Sequence, residues 1–238
     1  MKFLVLQHVE HEHPGLIANY AEDKGIKLDV VELWKPYKIP TISDYNALLI
    51  MGGPMGVYED RKAYPSKEDE LRIIKGAIRK KVPTLGICLG SQLLAHALDA
   101  RVYPNMVQDR RVKEIGYYNN VDLTQDGLSS LILKGFQSPL KVLQWHGDVF
   151  DLPRGATLLA RSPVCNQAFS YGNAYAFLFH FEFTPEMVAR LIEIDRDWIH
   201  KDHEIDEEQL LKEAEINSGL MRQQSARLLD NFVSIIES

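Results

Sequence analysis

The stretch Lys81 to Ala100, KVPTLGICLGSQLLAHALDA, limits the fold more than any other. An apolar run from Val82 to Ile87 passes without a break into residues with helical spacing, Leu89, Leu93, Leu94, Ala97 and Leu98. A buried strand that enters a helix directly is the repeating unit of a parallel α/β sheet, and the turn between them has to be tight. Cys88 stands at that turn, with Gly86 and Gly90 on either side. A sharp turn lifts the side chain out of the sheet and aims the free N–H groups and positive end of the next helix at the sulfur, which favours thiolate. The placement predicts a nucleophile on an elbow like that of hydrolases, with a depressed thiol pKa. The same residue also reads as a buried, inert cysteine, since free cysteine is among the most buried residue types.

The preceding chain supports the parallel sheet. Phe3 to Leu6 reads as a first strand; Leu16, Ile17, Tyr20 and Ala21 have helical spacing; Leu28 to Leu33 reads as a second strand and Ala47 to Met51 as a third. The third strand stops at Gly52-Gly53-Pro54-Met55-Gly56, where backbone N–H groups become available to a ligand. Neither nucleotide fingerprint is present, so a phosphate-binding reading of this loop is weak. Ligands of open α/β sheets sit at the carboxyl ends of the strands. The glycine loop and Cys88 both fall at such ends. His8, His11 and His13 match no zinc spacing and read as a solvated loop at a sheet edge.

Beyond Arg101 the chain becomes a series of short β segments, with Gly172-Asn173 as a two-residue hairpin turn. The strand from Ala174 to Phe179 runs into His180, and Glu182 follows two residues later. Strand period places both side chains on one face if that geometry persists. Thr184-Pro185 is a helix start, followed by helical spacing through Val188, Leu191, Ile192, Asp195, Trp198 and Ile199. Two further helices are predicted, Glu207 to Ile216 and Leu220 to Ile236, as an extension over 191–238 behind a main domain of 1–190. Their apolar faces would pack on that domain or on a second copy, so a homo-oligomer is allowed.

Composition excludes several classes. A net charge of −6 and a pI of about 5.8 without a basic cluster argue against nucleic acid or an acidic membrane as partner. The N-terminus turns polar too soon for a signal peptide, and no apolar run spans a bilayer. The expected compartment is the cytoplasm, where the two cysteines, Cys88 and Cys165, need not pair.

A thiol at an elbow, a histidine at a strand end and a nearby carboxylate are the parts of a Cys-His-Glu triad, identified by role and not by chain order. Five segments in order, MGGPMGVYED (51–60), GICLGSQ (86–92), KEIG (113–116), WHGD (145–148) and FHFE (179–182), resemble the class I (triad) glutamine amidotransferases. The likeness is to the stand-alone type similar to the amidotransferase half of GMP synthase and to γ-glutamyl peptidases.

The resemblance implies a flavodoxin-like, mainly parallel α/β sheet with helices on both faces. It assigns Cys88 as nucleophile, His180 as general base and acid, and Glu182 as the group that orients His180. Gly53 and Leu89 would donate backbone N–H groups to an oxyanion. Gly52, Gln92, His146, Gly147 and Asp148 would bind the substrate. No metal and no cofactor is implied. The implied reaction is attack on a γ-glutamyl amide through a thioester, with glutamine or another γ-glutamyl small molecule as substrate and a separate synthase subunit as recipient of ammonia. Peptidase or transferase activity on γ-glutamyl conjugates, and a non-catalytic binding module, are the alternatives. Two departures stand out: Phe181 replaces the proline common after the triad histidine, and Gly56 replaces a serine common in synthase-coupled members. No synthase domain is expected after the helical extension.

Overall fold

Phe3 and Val5 point to one face of the first strand and Leu4 and Leu6 to the other, and all four are essentially buried. A strand apolar on both faces needs cover on both, and helices provide it. The computed structural model describes residues 1–201 and 204–238. In chain order the elements are β1 (Lys2–Gln7), α1 (Gly15–Asp23), β2 (Lys27–Glu32), β3 (Ala47–Ile50), α2 (Lys67–Arg79), β4 (Thr84–Ile87), α3 (Leu89–Ala97), β5 (Val102–Pro104), β6 (Met106–Val107), β7 (Arg110–Arg111), β8 (Glu114–Leu123), α4 (Gln125–Ser129), β9 (Leu140–His146), β10 (Asp148–Phe150), β11 (Thr157–Arg161), β12 (Asn166–Tyr171), β13 (Ala174–Phe177), α5 (Pro185–His200) and α6 (Glu207–Glu237).

The main sheet has nine strands in the order β2-β1-β3-β4-β13-β12-β11-β8-β9. The strands from β2 to β13 run parallel, in the flavodoxin-like order, with Val5 beside Leu49, Leu49 beside Leu85 and Leu85 beside Tyr175. From β13 outward the pairing is antiparallel, beginning with the hairpin in which Tyr171 faces Ala174 across Gly172-Asn173. The fold is therefore α/β with a mixed, mainly parallel central sheet. Because β1, β3, β4 and β13 are adjacent and parallel, their carboxyl ends share one edge. That edge carries His8, Gly52, Cys88 and the approach to His180.

Each face of the sheet has its own core. Phe3, Val5, Ile87 and Phe177 pack with Ile17 and Tyr20 of α1 and with Leu228, Leu229 and Phe232 of α6. Leu4, Leu6, Leu48 and Ile50 pack with Leu71 and Ile74 of α2 and Leu93 and Leu94 of α3. A third cluster joins Val188, Leu191 and Ile192 of α5 to Trp145, Leu210 and Met221. The Thr184 hydroxyl caps α5, accepting from the Met187 N–H at 3.4 Å.

Two details differ from the sequence reading. The predicted pair of tail helices is one helix of 31 residues, unbroken at Ser218-Gly219. A mid-helix glycine costs only about 1 kcal/mol, which burial of Met221, Leu228 and Phe232 on the same helix outweighs. The last strand also ends earlier, at Phe177, and His180 continues only through an isolated bridge to Leu143. Among the described residues no helix is long and apolar enough to cross a membrane.

Candidate active site

Cys88 adopts φ 50° and ψ −109°, a conformation L-residues rarely hold and one that costs about 1–3 kcal/mol. Its surroundings enforce it. The Cys88 N–H donates to the Phe177 carbonyl at 2.8 Å, and α3 starts at the next residue. A Cβ at Gly90 would lie 2.2 Å from the Ile50 carbonyl oxygen, so only glycine lets α3 come this close to β3. The Cys88 thiol, 7 % exposed, points to the Trp145 carbonyl at 3.8 Å.

The buried ring of His180 donates from Nδ1 to Glu182 Oε1 at 2.7 Å. Its other nitrogen, Nε2, is buried without a hydrogen-bond partner, and the Cys88 sulfur is the neighbour with which it interacts. Glu182 Oε2 accepts the Phe181 N–H at 3.0 Å. A proline at 181 has no N–H, so the departure from the common pattern supplies a bond that holds the carboxylate. Regular strand geometry ends before these residues, and this local bond holds one carboxylate oxygen while the other accepts from His180.

Burial opposes charge on His180, but the Glu182 carboxylate and the Cys88 sulfur outweigh it and hold the imidazole well above its ordinary range. Cys88 departs from the expectation. Burial pushes its thiol up, and although His180 pulls it down, the carboxylates of Glu12 and Glu182 add to the rise. The resting site therefore lacks the depressed thiol that the helix end alone suggested.

The glycine loop is held by His8, which the sequence placed in a solvated loop and which is in fact buried, and by Glu70. His8, 2 % exposed, contacts the Gly52 carbonyl through Nδ1 at 2.9 Å and Glu70 Oε2 through Nε2 at 2.6 Å. Both partners offer oxygen acceptors, an arrangement that favours protons on both ring nitrogens and so the charged form. Burial opposes that charge, and Glu70 with the Gly52 carbonyl raises the histidine nonetheless. The Gly52 carbonyl and the Gly53 N–H belong to one planar peptide and point in opposite directions. Tying down the carbonyl turns the Gly53 N–H away from His8. A Cβ at Gly53 would meet Leu89 Cδ2 at 2.8 Å, so the loop lies directly on the start of α3. The Leu89 N–H, first in that helix, has no partner within it.

In front of Cys88 is a cavity of about 320 Å³. Gly53, Gln92, His146, Gly147 and Asp148 line it; Gly52, Leu89, His180 and Glu182 are not among the residues that line it. Gln92 donates to the Asp148 carbonyl at 3.3 Å, and Asp148 pairs with Arg111 at 2.8 Å. Burial and the nearby His180 push His146 down to about 3, so its ring is neutral and bonds Gln144 at 2.9 Å. Further wall residues are Tyr58 and Trp145, which lie in segments that carry the resemblance without a role assigned to them, and Glu12, Asp195 and Trp198, which carried no signal of this role in sequence. The parallel order of β1 and β3 was the available clue to His8 and Glu12, because it sends the end of β1 to the same edge.

A second Cys/His/Glu group exists. Single ligand atoms of Glu114, His146 and Cys165 lie within 4.8 Å of one another. These are the residue types of a triad, but Glu114 Oε2 already accepts from Ser162 at 3.0 Å, Gln167 at 2.8 Å and the Cys165 thiol at 3.3 Å. Burial and then the Glu114 charge push that thiol up, which keeps it a protonated donor. Its geometry is that of a buried hydrogen-bond network.

The profile of the family described as glutamine amidotransferase class-I matches residues 13–192. The glutamine amidotransferase-like protein YfeJ of Salmonella typhimurium is 35% identical over 198 residues, covering 81% of this chain and 80% of that protein. GMP synthase of Herminiimonas arsenicoxydans is 29% identical over 185 residues; the match covers 74% of this chain but only 32% of the synthase. The crystal structure of a glutamine amidotransferase from Thermotoga maritima is 35% identical, with a TM-score of 0.88 over 100% of this chain and 98% of that one.

Proposed function

The chain belongs to the class-I glutamine amidotransferase family, and on that premise we propose that it cleaves a γ-glutamyl amide, glutamine in the simplest case, through a thioester on Cys88. The observation that carries the reading is the chain of contacts from Cys88 through His180 to Glu182, with a cavity in front of the sulfur. The Cys88 thiol passes its proton to His180 Nε2 as the sulfur attacks the amide carbon, whose carbonyl oxygen moves toward the N–H groups of Gly53 and Leu89. His180 gives its Nε2 proton to the departing nitrogen, and ammonia leaves. The neutral ring then takes a proton from water, whose oxygen displaces the sulfur and frees glutamate. Glu182 keeps the ring in the tautomer both steps need. His8 and Glu70 hold the Gly52–Gly53 peptide so that its N–H points at the developing charge.

Gln92 and the 146–148 segment would hold the glutamyl end. Whether a separate synthase receives the ammonia is decided by copurification. The test of the reading is ammonia release from glutamine by the wild type and by Cys88→Ala, with labelling of Cys88 by a glutamine-like electrophile. Release undiminished in Cys88→Ala would overturn it.

A further inference from the structure

One wall of the cavity carries an acid that hydrolysis does not use. Glu12 is 8% exposed and lines the cavity with Cys88. Among the described residues it accepts no hydrogen bond, and the charges that favour its ionised form are those of His180 and His8. Its position is beside the imidazole: a Cβ built on Gly52 would lie 2.2 Å from Glu12 Oε2 and 3.5 Å from His180 Cε1. Nitrogen enters or leaves the acyl carbon on the His180 side, because that ring handles its proton.

The neighbouring wall suits a cation. Asp195 lines the same cavity and accepts the Trp145 indole N–H at 2.9 Å. Trp145 and Trp198 stand 6.5 Å apart at 31° and give the cavity an aromatic side, on which the Lys113 ammonium already lies 4.8 Å from the Trp198 ring centroid. Carboxylates out of water require a proton or a cation, and aromatic faces attract ammonium groups. Among the described residues the one guanidinium in the wall, Arg111, is paired with Asp148. Burial and the Asp195 and Glu182 charges push Glu12 up to about 7 against the pull of His180 and His8, so it exchanges a proton near neutrality.

We propose that Glu12 is an ammonium subsite of the acyl-transfer centre, which receives a primary alkylammonium as acyl acceptor or releases it from a γ-glutamyl amide donor. The proposal rests on the Cys88 thioester reading and gives it a nitrogen partner other than water. The bound ammonium passes one proton to the Glu12 carboxylate. Its freed lone pair attacks the thioester carbon; the C–N bond forms and the C–S bond breaks with its electron pair on Cys88. The second proton goes from nitrogen to His180 Nε2. The products are a γ-glutamyl alkylamide, a thiolate facing an imidazolium, and a protonated Glu12 that returns its proton to solvent.

Two measurements separate this subsite from the reading beneath it. In Cys88→Ala, which cannot react, n-propylammonium and ammonium chloride are titrated at pH 8 against tryptophan fluorescence, with tetramethylammonium chloride as the salt control. Saturable binding of propylammonium, weakened tenfold or more in both Glu12→Gln and Glu12→Ala, is the expected result. Equal binding with and without the carboxylate, or none in the parent, overturns the subsite; ammonium bound more tightly than propylammonium makes it a product site and overturns the alkylamine assignment. With glutamine and propylamine, the protein bearing Cys88 is expected to form γ-glutamyl propylamide, and Glu12→Gln to lower the amide-to-glutamate ratio at least tenfold. An unchanged ratio overturns the proposal, while failure of the glutamine-like electrophile to label Cys88 overturns the thioester reading alone.

Discussion

Replacing Glu12 by glutamine should flatten the pH dependence of stability. In the folded chain the Glu12 carboxyl is pushed up to about 7 from an ordinary 4.5, chiefly by burial. Between those values the native state holds a proton that the unfolded chain has lost, so stability falls as pH rises through the interval. The difference between the two values corresponds to about 3 kcal/mol at 1.36 kcal/mol per pH unit, most of it lost between about pH 4.5 and pH 8. Glu12→Gln has the same shape and does not titrate, so it lacks this loss. Its absolute stability includes the cost of a buried amide with its own unmet donors; the slope is the informative quantity. Urea unfolding at half-unit intervals from pH 4.5 to 8, wild type against Glu12→Gln, measures it. Curves that run parallel to within about 0.5 kcal/mol would refute the argument, because the loss of the Glu12 proton is then absent from the difference.

Other expectations follow from the same geometry. Glu182→Gln removes the carboxylate that raises His180 and fixes its tautomer, so kcat for amide hydrolysis should fall on the order of 10³-fold with little change in KM. Gly53→Ala forces a methyl group to within 2.8 Å of Leu89 Cδ2; displacement of that N–H should cost about 10²-fold in kcat, measured by ammonia release. Alkylation of Cys88 by iodoacetamide should rise only above the ordinary cysteine range in the wild type and shift to lower pH in Glu12→Gln, since one of the charges that raises the thiol is gone. Phe232→Ala, which removes the α6 ring packed edge-on to Phe3 and Tyr175, should cost about 3–5 kcal/mol in urea unfolding.

The parts legible in sequence are those coded by local pattern. The apolar run into a helical period located β4, the elbow and α3, and short-range turn chemistry located the hairpin at Gly172-Asn173. His180 and Glu182 were legible because they are two residues apart, although regular strand geometry ends before them and the Phe181 N–H anchors the carboxylate that accepts from His180. The tail read as two helices because glycine is a local signal of a break, while the burial that carries α6 through Gly219 is a long-range effect.

Sequence by itself determined the α/β class, the candidate nucleophile and the residues that resemble a triad, because backbone propensity and side-chain period act over a few residues. Only the tertiary structure decided the environment of that nucleophile. Parallel pairing of β1 with β3 carries His8 and Glu12 to the edge where Cys88 emerges, and α5 brings Asp195 and Trp198 over the same cavity from more than 100 residues away in the chain. Burial then reverses the expected direction for the Cys88 thiol and raises the Glu12 carboxyl. Those shifts depend on the removal of water and on charges from distant segments, and neither quantity is a property of a sequence window.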